Sequence, residues 1–284
     1  MLQELRNAFH QNVFTNIIRT KPSASGEDYP NFSDISSPKS VYFARQIAGM
    51  IANNAPLIQG TLPGQTTGRE FERAVSEFLE DCFQLLHSVR PGNWIFGSER
   101  ISDFEQYEHL SYLSEIRQND PVLATVLESG YIITPDIVIS RTPLDDNVIN
   151  QIEVVLGEGC EIAQLTPLRT QNNQRKLLHA SISCKWTIRS DRSQNTRTEA
   201  LNLIRNRKGH TPHIVAVTAE PLPTRLASLA LGTGDLDCVY HFALYELKDA
   251  VQNSQDVDQL ELLNTMIQGK RLRDISDLPF DLVI

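Results

Sequence analysis

The chain has 284 residues, of which 40% are hydrophobic and 21% are charged, with 14 glycines and 14 prolines. This composition excludes fibrous and low-complexity proteins and supplies enough apolar residues for a sizeable core. The sequence shows neither an apolar run near the roughly 18 residues of a membrane span nor a signal peptide, so we expect a cytoplasmic protein without a membrane partner. Its four cysteines form no CxxC pair, which indicates neither a disulfide framework nor a structural zinc site.

The net charge of −9 hides an uneven distribution of charge along the chain. Between Arg169 and His210 there are ten lysines and arginines but only two acidic residues. Because the rest of the chain is strongly acidic, binding to nucleic acid is expected only through this basic segment. A solvated basic helix is the alternative interpretation, and charge alone does not decide between the two.

In chain order, the first clearly loop-like segment runs from Lys21 to Lys39 and is rich in Ser, Pro and Asp. The spacing of apolar residues after this segment predicts four helices. They are Val41–Ile51, Glu70–Leu86, Phe104–Arg117 and Val122–Leu127.

From Tyr131 onward the apolar residues follow the pattern of buried strands. The predicted strands are Tyr131–Ile139, Ala180–Ile188, His213–Thr218 and Cys238–Ala243, and a helix is predicted over Ser193–Arg205. Pro135 lacks an N–H for a sheet ladder, so it should mark a strand start, an edge or a bulge. Strands that alternate with helices predict an α/β fold with a mixed central β-sheet flanked by helices, and we expect a single domain over residues 1–284.

Two of the predicted strands carry a charged residue among apolar neighbours, Asp136 in one and Lys185 in the other. An unpaired buried charge costs several kcal/mol, so a structural salt bridge between these two residues is one interpretation. Ser183 lies two positions before Lys185, on the same face of its strand, and Glu199 follows in the next helix. Carboxylates and an ammonium group suit a hard divalent cation such as Mg²⁺, with the lysine acting on an attacking water or on charge at a phosphate.

The Pro-Asp at 135–136 and the Ser-x-Lys at 183–185 resemble the core of PD-(D/E)xK nucleases. A serine replaces the usual acid before the lysine, and an acid on the following helix is the variation found in CCGG-cutting type II restriction endonucleases. Matching segments extend this resemblance over nearly the whole chain, most weakly over 147–174. They are LPGQTTGREFE (62–72), YIITPDIVISR (131–141), LLHASISCKWTIRSDRSQN (177–195), LNLIRNRKG (201–209), ALGTGDLDCVYHFALYEL (230–247) and GKRLRDISDLP (269–279). On these segments the chain resembles the NgoMIV-type family of restriction endonucleases.

The resemblance implies a restriction-endonuclease-like core and a Mg²⁺-dependent catalytic centre. In that family pattern Asp136 is the principal metal ligand, Ser183 and Lys185 form the SxK pair, and Glu199 is the displaced acid and a metal ligand. The backbone carbonyl of Cys184 is expected to point to the metal. Glu72 matches an additional acid that acts around the metal or its water, although an exposed helix acid is the plainer interpretation of that residue.

The residues that follow the SxK strand suit the reading of G·C base pairs. Arg189 and Arg192 can each donate two hydrogen bonds to guanine O6 and N7, and Asp191 can accept from cytosine N4. The resemblance assigns CCGG recognition to this segment. Ser190 or Asp191 would otherwise be interpreted as the N-cap of the following helix, and the two roles are compatible.

The outer base pair is expected to be read by other elements. Asp34 and Ser36 match the family's DGS segment, with Ile35 in place of its glycine. Arg225 matches an arginine that reads the outer pair in the major groove, and Gln65 matches a minor-groove glutamine. Together these residues imply the site GCCGGC, although turn residues and a surface charge would be equally ordinary interpretations.

The leading hypothesis is therefore a type II restriction endonuclease that hydrolyses both strands of palindromic double-stranded DNA. A palindrome requires at least a two-fold homodimer, and the resemblance implies a homotetramer, a cut after the first G with a 5′ overhang, and a cognate DNA methyltransferase in the same system. A catalytically silent DNA-binding protein and a structure-specific nuclease on the same core are the alternatives.

Overall fold

The computed structural model describes residues 1–22, 28–53, 55–120, 122, 125, 133–157, 159, 161–188, 190–232 and 234–284, with only the backbone described for 190–193. Its described helices are α1 Leu2–Asn16, α2 Pro38–Ala52, α3 Gly64–Leu85, α4 His109–Asn119, α5 Asp146–Ile149, α6 Ser190–Asn206, α7 Pro223–Ala230, α8 Leu244–Asn253, α9 Val257–Gln268 and α10 Leu278–Leu282. Two 3₁₀ turns are at Ile101–Asp103 and Glu105–Tyr107. Its described strands are β1 Thr20–Lys21, β2 Tyr29–Pro30, β3 Trp94–Gly97, β4 Ile137–Arg141, β5 Leu177–Lys185, β6 His213–Thr218, β7 Cys238–His241 and β8 Leu272–Asp274. No helix in the described part of the chain combines the length and apolarity needed to cross a membrane.

Strands β3 to β8 form one sheet in the order β3-β4-β5-β6-β7-β8. β3 pairs antiparallel with β4, with Trp94 opposite Arg141. β6 and β7 pair in parallel, with Val215 opposite Cys238, and β8 extends this parallel part. Because both pairing directions occur, the sheet is mixed, and the predicted α/β fold with a mixed central sheet and flanking helices is confirmed.

The chain divides into two compact units. The first unit comprises residues 1–91, 182–200 and 214–284, and the second comprises residues 92–181 and 201–213.

In the first unit, helices α2 and α3 confirm two predicted helices and begin earlier than expected. α2 begins after Ser37, whose hydroxyl accepts the Ser40 N–H at 3.3 Å, and proline occupies the first turn. Both features are strong helix-start signals. α3 starts at Gly64 rather than Glu70 and buries an apolar stripe along one side. The buried stripe consists of Phe71, Ala74, Val75, Phe78, Leu79, Cys82 and Phe83.

Helix α1, which apolar spacing did not reveal, is attached to the far end of the chain by one buried arginine. The Arg6 guanidinium donates to Asp274 at 2.9 and 2.8 Å and to Glu246 at 2.9 and 2.7 Å. Asp274 is fully buried. Burial by itself raises the pKa of the Asp274 and Glu246 carboxyl groups, but the contacts with Arg6 hold both pKa values below the ordinary range. Two charge-assisted forks of this kind fasten the start of the helix, and Phe9, Val13 and Phe14 are buried further along it.

In the second unit, the predicted strand Tyr131–Ile139 is shorter at its start. Residues 131 and 132 lie outside the described residues, and the strand begins at Ile137. Pro135 cannot donate to a ladder, and its carbonyl accepts the Ser98 hydroxyl at 3.0 Å. The carbonyl of Ile133 accepts the Ile101 N–H at 3.0 Å. These contacts hold the chain before the strand outside the sheet.

The predicted helix Phe104–Arg117 begins only at His109, and the prediction for Val122–Leu127 falls largely outside the described residues. The start is late because Gln106, in a 3₁₀ turn, is tied to strand β5. Its side-chain amide donates to the Leu178 carbonyl at 2.7 Å and accepts the Leu178 N–H at 3.0 Å.

Predictions for the remaining elements were correct in type and differ mainly at their ends. β6 coincides with its predicted range, whereas β7 ends two residues early at His241. β5 covers Leu177–Lys185 instead of Ala180–Ile188, and α6 begins at Ser190 instead of Ser193. β5 ends early because the Ile188 N–H donates to a side-chain carboxylate, that of Glu220, at 2.9 Å rather than to a neighbouring strand.

Candidate active site and DNA interface

The end of strand β5 presents two predicted catalytic side chains on one face. Ser183 and Lys185 are half-buried, whereas the alternate residues Ile182, Cys184 and Trp186 are buried. This alternation follows from the two-residue period of a strand. The thiol of Cys184 therefore lies on the face opposite Ser183 and Lys185, and the assignment of its carbonyl to a metal stays a prediction.

Helix α6 faces the same side of β5. The Ser183 hydroxyl lies 3.4 Å from the hydroxyl of Thr196, which is buried. Glu199 follows Thr196 by three residues and thus lies one turn along the same side of the helix. Its side chain is half-buried. Within the first unit, the structure brings the predicted Ser183, Lys185 and Glu199 onto one strand and the helix that packs against it.

Helix α3 brings Glu72 to the neighbourhood of this strand end. The Phe71 ring lies 5.1 Å from the ring of Trp186, the residue after Lys185, in an edge-on contact. Glu72 is next to Phe71 and is half-buried, so it is not an exposed helix acid.

Asp136 lies in the second unit, half-buried and directly before β4. Among the residues that the structure describes, no group of three or more His, Cys, Asp and Glu side chains is arranged to hold a metal ion. Mg²⁺, however, takes only one or two carboxylates and completes its shell with other oxygen ligands. The carboxylates of Asp136 and Glu199 and the carbonyl of Cys184 are each hard oxygen donors of the kind that Mg²⁺ prefers, and their assignment to one metal ion stays a prediction.

A cleft of about 1050 Å³ in the first unit contains the predicted outer base readers Asp34 and Arg225. These two residues form an ion pair within the cleft. Thr187 and Ile188, which continue directly from β5, line the same cleft. The cleft therefore begins two residues beyond Lys185.

Ser36 supports the carboxylate of Asp34. Its backbone N–H and its hydroxyl donate to Asp34 Oδ1 at 3.0 and 2.7 Å. These bonds, followed by the contact with Arg225, hold the pKa of Asp34 below its ordinary value. Asp34 and Ser36 do form a turn, as the plainer interpretation holds, and this turn also presents an ionised acceptor beside Arg225.

The other predicted DNA-reading residues are less fully described. Gln65 is exposed in the first turn of α3. Arg189 lies outside the described residues, and Asp191 and Arg192 are known only as backbone in the first turn of α6. Their assignment to the CCGG bases stays a prediction.

Sequence reasoning missed Glu220, which lies between β6 and α7. Its side chain is 1% exposed, its Oε2 atom is 3.9 Å from Arg225 Nη1, and burial raises its pKa to about 7. An acid within the apolar stretch AVTAEPLP was the available signal, because a charge in such a run is costly unless it has partners.

Arg197 has a structural role in this cleft. Its guanidinium donates to the carbonyls of Ser228 and Leu231 at 2.8 and 3.3 Å. It thus stabilises the carboxyl end of α7, where helix carbonyls lack intrahelical partners.

Comparison with known proteins identifies the family. The family model described as NgoMIV restriction enzyme matches residues 9–284. The type II restriction enzyme NgoMIV of Neisseria gonorrhoeae is 46% identical over 286 residues, which cover 98% of this chain and 97% of that enzyme. The chain belongs to the NgoMIV restriction enzyme family. The predictions of the family, of an enzyme and of site-specific cleavage of DNA by a type II restriction endonuclease are thereby confirmed.

The chain is also similar to the solved restriction endonuclease PspGI–substrate DNA complex. That match covers 99% of this chain and 91% of the other, with 11% identity and a TM-score of 0.28. A similarity at this level supports no statement about this member of the NgoMIV family.

Proposed function

We propose that this member of the NgoMIV family cleaves double-stranded DNA at GCCGGC, after the first G, and leaves a 5′ overhang. The proposal rests on one observation, which is that strand β5, with Ser183 and Lys185 at its end, leads directly into the cleft. Lys185 ends β5, and Thr187 and Ile188 line the cleft that contains the Asp34–Arg225 pair. A phosphate near Lys185 would accordingly belong to the DNA whose bases enter the cleft.

The outer base pair is proposed to be read by the Asp34–Arg225 pair. Guanine presents two acceptors in the major groove, and its cytosine partner presents the N4 donor. An arginine fork beside a carboxylate is complementary to this pattern. The Ser36 hydroxyl donates to the Asp34 carboxylate and helps to hold its pKa below the ordinary value, and Gln65 is assigned to the minor groove. Arg189, Asp191 and Arg192 are assigned to the inner CCGG bases.

The catalytic roles follow the chemistry of the side chains. Asp136, Glu199 and the carbonyl of Cys184 would hold Mg²⁺, which when bound supplies Lewis-acid stabilisation and a more acidic water. Lys185 orients or deprotonates the attacking water, or stabilises negative charge on the phosphate, and Ser183 completes the SxK pair. Glu72 acts around the metal or its water. Attack by water on phosphorus breaks the P–O3′ bond and leaves a 5′-phosphate and a 3′-hydroxyl.

The assembly is proposed to be a homodimer at minimum and a homotetramer in full. A palindrome is read by a two-fold protein. In the second unit, several apolar side chains between 148 and 165 are exposed, and contact with another protein surface would remove them from water. They are Val148, Ile152, Val154, Val155, Ile162 and Leu165. We assign a second copy of this chain to this apolar segment.

Three further assignments belong to the same proposal. Residues 1–284 form a single restriction endonuclease domain, the protein acts in the cytoplasm, and a cognate DNA methyltransferase protects the host genome. The methyltransferase need not contact this chain, because methylation of the DNA alone would prevent cleavage.

A plasmid with several GCCGGC sites tests the proposal. Discrete fragments with Mg²⁺ and intact plasmid with EDTA are expected, and a matched plasmid whose sites read ACCGGT should resist cleavage. Shifted but uncut DNA would instead support a silent DNA-binding protein. Cleavage confined to branched DNA would support a structure-specific nuclease.

A further inference from the structure

Glu220 is held rigidly at the exit from strand β6. Its backbone N–H donates to the Thr218 hydroxyl at 3.2 Å, and its carbonyl accepts His241 Nε2–H at 3.2 Å. The Ala243 N–H donates to Nδ1 of the same imidazole at 3.1 Å, which leaves Nε2 as the donor. Burial lowers the pKa of His241 to about 4, so this neutral tautomer is maintained at neutral pH.

The Glu220 carboxylate accepts backbone N–H groups from two different chain segments. Oε2 accepts the Ile188 N–H at 2.9 Å, and Oε1 accepts the Leu222 N–H at 3.2 Å. Ile188 comes two residues before helix α6, and Leu222 comes directly before helix α7. One buried carboxylate therefore fixes the entry of both helices.

The two helices carry the two proposed sets of DNA-reading residues. α6 begins with Asp191 and Arg192 in its first turn, and α7 bears Arg225. Arg225 lies between two acids, since Nη2 pairs with Asp34 while Nη1 is 3.9 Å from Glu220 Oε2. Glu220 thus restrains the backbone of both helix entries and attracts the guanidinium of one reader.

We propose that Glu220 is a positioning residue that holds the entry of α6 and the guanidinium of Arg225 in one arrangement and so couples recognition of the inner four base pairs to recognition of the outer pair. This inference rests on the proposed function. Glu220 contacts no base in it and acts through its two backbone bonds and Arg225. Its loss should reduce discrimination between sequences rather than general affinity for DNA.

The variant Glu220→Gln tests this role because it preserves size. A glutamine has one acceptor oxygen, so its NH₂ group would face a peptide N–H or the guanidinium, donor against donor. Binding in Ca²⁺ is measured on duplexes that contain GCCGGC, ACCGGT or no CCGG. We expect the GCCGGC/ACCGGT affinity ratio to fall by about tenfold, with unchanged affinity for the duplex that lacks CCGG.

Glu246→Gln is the matched control, because Glu246 is another largely buried carboxylate of the first unit and it pairs with Arg6 instead. Unfolding midpoints are measured for both variants. Glu246→Gln is expected to lower its unfolding midpoint and to keep the wild-type affinity ratio. If Glu220→Gln behaves in the same way, its role is purely structural, and that outcome overturns the inference. If Glu220→Gln does not fold, Glu220→Asp, which shortens the reach by one methylene, must still lower the ratio, and an unchanged ratio overturns the inference.

A double-mutant cycle with Arg225→Ala tests whether Glu220 affects recognition of the outer base pair through Arg225. If Glu220 acts on the outer pair through Arg225, Glu220→Gln adds little further loss at that pair once Arg225 is absent. Full additivity overturns this route. If the wild-type protein shows no preference for GCCGGC, the proposed recognition site is wrong and this inference is wrong with it. If the wild type shows the preference and Glu220→Gln retains it fully, only the role of Glu220 is wrong.

Discussion

Arg225 and Asp34 form an ion pair although 191 positions separate them in the sequence. Each residue is partly exposed in the cleft, so the pair can exchange its mutual contact for contacts with DNA. A paired donor fork and carboxylate also suit the two complementary edges of one G·C base pair. This relationship makes the outer base pair the most direct target for mutation.

We expect Asp34→Asn to weaken cleavage of GCCGGC by a factor that corresponds to about 1–3 kcal/mol, because the amide no longer offers a charged acceptor to cytosine N4. Relative cleavage rates on GCCGGC and ACCGGT plasmids measure the effect. Ser36→Ala removes one support of the carboxylate and should give a smaller loss in the same direction. A wild-type rate ratio in Asp34→Asn would show that this carboxylate does not read the outer pair.

Asp136→Ala is expected to abolish cleavage and to retain specific binding in Ca²⁺, since it removes a proposed metal ligand and none of the base readers. Cleavage and gel-shift assays measure the two properties separately. Asp103→Ala is the control in the second unit, where Asp103 is an exposed acid near Arg100, and it should cleave normally. Cleavage by Asp136→Ala near the wild-type rate would mean that the metal is held elsewhere.

Arg192→Ala should reduce affinity for duplexes that contain CCGG by about 1–3 kcal/mol or more, because a bidentate contact with guanine is lost. Binding at fixed salt concentration measures it, with a duplex that lacks CCGG as the reference. The affinity for the reference duplex should change much less. Unchanged affinity for the CCGG duplex would rule out the assigned role of this arginine.

The free energy of unfolding should depend on pH through the ionisation of Glu220. Burial raises the pKa of Glu220 to about 7 against the opposing effects of the Ile188 N–H, Arg225 and the Leu222 N–H. The folded state therefore binds a proton more tightly than the unfolded state, whose carboxyl has a pKa near 4.3. The bound proton therefore stabilises the folded state by on the order of 3 kcal/mol. This stabilisation is fully present below the unfolded-state pKa and is lost as the pH rises to about 7.

Urea unfolding of the wild type and of Glu220→Gln at several pH values between about 4 and 8 measures this contribution. The stability difference, wild type minus variant, should fall as the pH rises. Buried His10 and His241 have lowered pKa values and produce the opposite slope, but this slope is common to both proteins and cancels in the difference. A difference that does not vary with pH would contradict the raised pKa.

Replacing Ile152 and Leu165 together by aspartate should convert a tetramer to a dimer, because both side chains are almost fully exposed apolar groups and charge opposes their burial between subunits. Analytical ultracentrifugation measures the mass. Val257→Asp, at another exposed apolar position, is the control and should keep the wild-type mass. An unchanged mass in the double variant would exclude this segment as the subunit interface.

The sequence by itself was sufficient for the features that depend on local periodicity or on motif order. Strand β6 was predicted over its whole range because a β-branched run is bounded by turn residues. The common face of Ser183 and Lys185 follows from the two-residue period of a strand. The family followed from motifs spread along the chain, and the match over residues 9–284 confirms it.

Only the tertiary structure decided the features that depend on distant partners. Strand β5 ends at Lys185 because the Ile188 N–H finds a carboxylate 32 positions away, and α1 is fixed by Arg6 through acids near the other end of the chain. The apolar stretch around Glu220 signals a costly acid, but its two N–H partners are known only from the fold. Local spacing specifies which face a side chain occupies, whereas the partner of a buried polar group is chosen by the three-dimensional packing that removes it from water.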